Sequence, residues 1–81
     1  MRAIIRETVL MDDGFIQVQI EYEPTLPAEG TISRWKSFSF PPGTTLVDGQ
    51  AEIIFWGQKL KSNIALQVTL TGLIGTTIAI P

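Results

Sequence analysis

Between Phe15 and Glu23 the chain alternates strictly: Ile16, Val18, Ile20 and Tyr22 interleave with Gln17, Gln19, Glu21 and Glu23. A period of two places the two sets on opposite faces of a strand. The preceding run, RAIIRETVLM, joins it through Asp12-Asp13-Gly14. Asp-Gly suits a tight hairpin turn because both central residues tolerate positive φ. With Asp13-Gly14 as a two-residue loop, Met11 faces Ile16, Val9 faces Val18 and Ile5 faces Tyr22, while Arg6 meets Glu21 on the other face. A shift by one would set Val9 against Gln17, so pattern and turn chemistry together select this register.

PTLPAEG follows as a loop, and ISRWKSFSF reads as a third strand of imperfect alternation. Trp35 is out of phase with Ile32, Phe38 and Phe40, which implies either a bulge near Lys36–Ser37 or a strand covered on both faces. Pro41-Pro42-Gly43 ends it, since proline cannot donate to a ladder. Asp48-Gly49 reads as a second turn, Ile53–Trp56 as a central strand apolar on both faces, GQKLKSN as a polar connection and NIALQVTLTG as a further strand. Helical spacing is not sustained over three turns in any segment. The expectation is a single all-β domain over 1–81, a small antiparallel sandwich or barrel of six or seven strands.

The last twenty residues, SNIALQVTLTGLIGTTIAIP, carry no side-chain charge. From Ile64 one parity is almost continuously aliphatic. Read as one strand of about 3.3 Å per residue it would span roughly 55 Å, against a diameter of about 30 Å for a compact domain of this length. Two solutions are open. Gly72 and Gly75 bend the strand from one sheet to another, or residues 73–81 leave the domain and pair with a neighbouring chain. An edge strand left bare normally carries lysine or proline as protection, and here the first proline is Pro81.

Composition narrows the chemistry. Cysteine and histidine are absent, which excludes disulfides, thiolate and imidazole metal sites and every nucleophile–histidine pair. Net charge is −2 and charged residues are 17 % of the chain, where about 25 % is usual; that discourages a nucleic-acid partner. Serine, threonine, glutamine and asparagine occupy the polar faces instead. Such surfaces can be buried against protein without desolvating ions. MRAIIRETVLMDDG does not read as an export signal, because Arg6 and Glu7 interrupt its apolar run. Synthesis in the cytoplasm is expected, with the final address open. The tail, broken by Gln67, threonines and glycines, falls short of a membrane span.

Candidate motifs reduce to structural explanations. Asp12 and Asp13 lie where a turn wants aspartate, Glu21 and Glu23 share a solvated strand face, and the oxygen-ligand spacing of a calcium loop is missing. Gly57-Gln58-Lys59 lacks the rest of a phosphate loop, and Gly72-Leu73-Ile74-Gly75 has neither basic neighbours nor the helical setting of a nucleic-acid clamp. Both tryptophans are expected in the core.

These residues point to a non-catalytic structural or assembly protein without cofactor, a homo-oligomer or a component of a larger protein assembly. Small all-β proteins of virus and phage particles offer a fold-level analogy. The interface would be formed by Trp35, Phe38, Phe40, Leu73, Ile74, Ile78 and Ile80. The alternative is a small β-barrel that binds oligonucleotide or carbohydrate on an Arg34–Trp35–Lys36 face, because aromatics among basic residues stack bases or sugars.

Overall fold

The computed structural model describes residues 1–81. Three strands, β1 (Arg2–Leu10), β2 (Ile16–Glu23) and β3 (Arg34–Phe40), form one open antiparallel sheet in the order β1-β2-β3. A single 3-10 turn, Pro27–Glu29, lies between β2 and β3, and a helix of 26 residues, α1 (Leu46–Thr71), completes the chain. The fold is α+β, and the all-β sandwich or barrel is overturned.

The alternation of β2 is realised as its composition requires. Val18, Ile20 and Tyr22 are buried, and Gln17 and Gln19 are exposed on the opposite face. β3 joins without any bulge: Phe40 pairs with Ile16, Phe38 with Val18, Lys36 with Ile20 and Arg34 with Tyr22. Phe38, Phe40, Lys36 and Arg34 therefore share the helix-covered face, and Trp35, Ser37 and Ser39 the other. The phase conflict at Trp35 is resolved by leaving Trp35 in solvent, on the bare side that antiparallel sheets tolerate.

The hairpin forms in a different register from the one its turn suggested. Leu10 opposes Ile16, Val9 opposes Gln17 and Thr8 opposes Val18. The loop holds three residues, not two. Met11 N–H donates to Phe15 C=O at 2.8 Å, Gly14 N–H to Met11 C=O at 3.0 Å, and Gly14 takes φ +86°. This is a type I turn followed by a left-handed glycine. Asp13 Oδ1 accepts from Phe15 N–H at 3.1 Å, so the aspartate braces the turn. A bulge at Arg6 then shifts the pairing again, placing Ile5 opposite Ile20 and Ala3 opposite Tyr22. The bulge places Ala3 and Ile5 on the side of Tyr22 and Ile20, with Ile5 still 62 % exposed, so a three-residue loop and a clean β2 pattern coexist.

Residues 46–71, read as two strands and a connection, form α1. Thr45 caps it, its hydroxyl accepting from Asp48 N–H at 3.1 Å. Asp48-Gly49 lies within the first turns rather than forming a hairpin. The inward positions are Ile53, Gly57, Leu60 and Ile64, a spacing of four, three and four that repeats on one helical face. Ile53 and Leu60 pack on the cluster Val18, Ile20, Tyr22 and Phe40, and Ile64 is buried. The length problem of the tail disappears too. A helix rises about 1.5 Å per residue, so Ile64–Thr71 covers far less distance than a strand would. Gly72 and Gly75 do not bend a strand; Gly75, at φ +89°, ends the turn that follows α1.

Helix and sheet approach closely at Gly57. A Cβ there would stand 3.2 Å from Tyr22 Cε1, and the Tyr22 hydroxyl donates to Ile53 C=O at 2.7 Å. The ring, 2 % exposed, is clamped between strand and helix, and burial pushes its phenol up to about 12.

Two substitutions separate packing from helix propensity. Gly57→Leu should overpack this contact and destabilise the fold by about 1–3 kcal/mol. Gly49→Ala, whose Cβ would meet only ordinary contacts at 3.9 Å, should stabilise by about 0.5–1 kcal/mol. Urea unfolding followed at 222 nm checks both signs.

Candidate functional site

The residues singled out for a ligand surface are not brought together. Trp35 is 59 % exposed on the outer face, whereas Arg34 and Lys36 point toward the helix. Lys36 Nζ lies 4.5 Å from the Trp56 ring centroid and 5.8 Å from that of Phe38, a cation–π arrangement at the sheet–helix boundary. Trp56 itself is 37 % exposed, so neither tryptophan is a core residue. Phe38 and Phe40 stack at 5.7 Å with planes within 8°; Phe40 is buried and Phe38 half-buried. Leu73, Ile74, Ile78 and Ile80 are exposed beyond the helix, in a segment that pairs with no strand.

Charge is used locally. Arg6 binds Glu21 at 2.7 Å and Arg2 binds Glu23 at 3.0 Å across the outer face. Hydrogen bonds from Ser33 and then Arg6 hold the Glu21 carboxyl below its ordinary value. Glu29 is the one buried charge. Its carboxylate accepts from the Met1 amine at 2.7 and 2.8 Å and from the N–H groups of Thr25 and Leu26 at 3.0 Å each. Lys61 of α1 stands 3.8 Å away. The amine bond is the main cause, followed by the Thr25 N–H, of a carboxyl held down at about 2. With its oxygens committed in this way, Glu29 ties β1, the 3-10 turn and α1 together and offers no free base. No group of three or more acidic side chains is placed to hold a metal.

What the structure assembles instead is neutral surface. The outer sheet face carries Gln17, Gln19, Ser37 and Ser39 in adjacent cross-strand rows. On α1, Asn63, Leu66 and Leu70 recur at intervals of three and four, roughly 120° around the axis from the inward stripe at 100° per residue. With Gln67, Thr71 and Ile74 they line a shallow groove of about 400 Å³. Leu66 and Leu70 are 56 % and 52 % exposed. Sequence reasoning missed this stripe because the segment was read at a period of two. The three-and-four recurrence was the signal that would have found it. No helix of the structure is long and apolar enough to cross a membrane.

The folded value of about 2 for Glu29 lies below its ordinary 4.5. Its contribution to stability is thus complete above pH 4.5 and is lost as pH falls toward 2. Thermal unfolding between pH 7 and pH 2 should show this decline, and Glu29→Gln should be less stable at pH 7 with a shallower acid dependence. Comparison with family models, curated proteins and solved structures finds no match for the chain.

Proposed function

We propose that this chain is a non-catalytic structural module that works by associating with protein, foremost with copies of itself, through uncharged surface. The observation that carries the reading is the amount of surface left uncovered. The chain exposes 6316 Å², where a compact monomer of its mass exposes about 4,800 Å². Its radius of gyration is 16.7 Å, against about 12 Å for a compact chain of equal length. Only six of 81 residues are buried, a small core for a fold without disulfide or metal.

The position of that surface supports the same reading. After Lys61 the chain carries no charge, and Ile64 is its last buried residue. α1 runs about 39 Å over a sheet whose β2 spans about 26 Å, so its C-terminal turns project past the strands together with residues 72–81. Burying this arm would desolvate no charged side chain, which removes a main cost of covering polar surface. The analogy with particle proteins rested on an all-β fold and goes with it. The oligonucleotide or carbohydrate alternative required Trp35, Arg34 and Lys36 on one face, and the register separates them.

Light scattering after gel filtration should give a mass that is a multiple of 8.9 kDa at high micromolar concentration. Removal of residues 73–81 should lower the associated fraction and leave the far-ultraviolet circular dichroism of sheet and helix in place. A mass of one chain at millimolar concentration would overturn the proposal.

A further inference from the structure

Resting on the reading above, we infer that the projecting end of α1 pairs antiparallel with the same segment of a second copy, about a two-fold axis that crosses the seam at the level of residue 68. Leu66 of one chain then packs against Leu70 of the other, and the reverse contact follows by symmetry. Three observations place the partner there.

The first is the distribution of charge. Reflecting the helix about position 68 sets Ser62 opposite Ile74, and the whole overlap lies beyond Lys61, the last charged residue. A parallel pair would instead bring Lys59 against Lys59 and Glu52 against Glu52, because both share the seam's side of the helix at 100° per residue. Like charges facing across a seam are destabilising. The antiparallel arrangement carries both sheets to opposite ends and leaves these charges in water.

The second is how the polar groups of the segment are satisfied. Thr69 and Thr71 donate their hydroxyls to Ala65 C=O at 3.1 Å and Gln67 C=O at 2.8 Å. These protons are spent within the helix, so the threonines can enter an interface without leaving a donor unpaired. Asn63 and Gln67 border the leucines and supply hydrogen-bonding groups at the rim.

The third is area. The surface in excess of a compact monomer is about 1,500 Å², and a standard interface needs about 800 Å² from each partner. Leu66, Leu70, Leu73 and Ile74 are 56 %, 52 %, 45 % and 81 % exposed and can contribute to such an area. The seam has its leucines at the centre and amides at the edge, the distribution expected of a contact between proteins.

Because the chain has no cysteine, cross-linking reads the geometry without background. Leu66→Cys and Leu70→Cys chains, distinguishable by mass, are mixed and oxidised. Disulfides should form mainly between the two variants, not within either. Leu66→Asp/Leu70→Asp should weaken self-association about a hundredfold or more while retaining the circular dichroism of the parent, since neither leucine touches the core. Preferential 66–66 and 70–70 disulfides would overturn the antiparallel pairing. A parent chain that associates, with the aspartate variant associating equally well, would overturn this interface and leave self-assembly to the sheet face. A parent that never associates would overturn both.

Discussion

The attachment of α1 to the sheet depends on a tyrosine and a missing side chain. Tyr22 lies flat beneath Gly57 and reaches Ile53 C=O with its hydroxyl at 2.7 Å. A bulky side chain at 57 would press on the Tyr22 ring and hold the helix off the strands, loosening the contact of Ile53 and Leu60 with Val18, Ile20 and Phe40. Glycine is a poor helix former by about 1 kcal/mol relative to alanine. Its presence in mid-helix is therefore explained by approach distance and not by local preference. The inward spacing around it then sets which turns of α1 rest on the sheet and which run past it.

That overhang links a packing constraint to the electrostatic character of the chain. Over the sheet, α1 carries Glu52, Lys59 and Lys61, and Lys61 approaches the Glu29 carboxylate that also binds the Met1 amine. Past Ile64 it carries none. Ionic groups concentrate where the fold is closed internally, and neutral ones where it is left open. Threonine is ordinarily a weak choice for a helix because its branched side chain loses rotamer freedom. Here the Thr69 and Thr71 hydroxyls are satisfied within the helix by carbonyls of the preceding turn.

The candidate surfaces were legible to different degrees. The polar outer faces of β2 and β3 follow directly from alternation, as does the separation of Trp35 from its basic neighbours. The absence of charge after Lys61 is evident at a glance, but its geometric meaning is not. At a period of two Ile64–Ile80 reads as one long strand; at a period near 3.6 Asn63, Leu66 and Leu70 fall on one stripe. Short runs of β-branched and aliphatic residues satisfy both templates. Earlier in α1, Gly49 and Gly57 favour a turn when only local preference is considered.

By itself the sequence determined the polarity of β2, the location of the first turn, the absence of thiol and imidazole chemistry, and the uncharged C-terminal arm. These are local or compositional properties, and no distant contact can alter them. Tertiary structure decided the rest. The hairpin register depends on a three-residue loop and a bulge at Arg6 that shifts the pairing between Ile5 and Glu7. The identity of residues 46–71 depends on the apolar sheet face against which Ile53 and Leu60 pack, with Tyr22 and Gly57 setting the distance. A preference worth tenths of a kcal/mol per residue yields to burial worth about 25 cal/mol per Å², and that difference in scale is why the helix prevails over the strands its residues would otherwise favour.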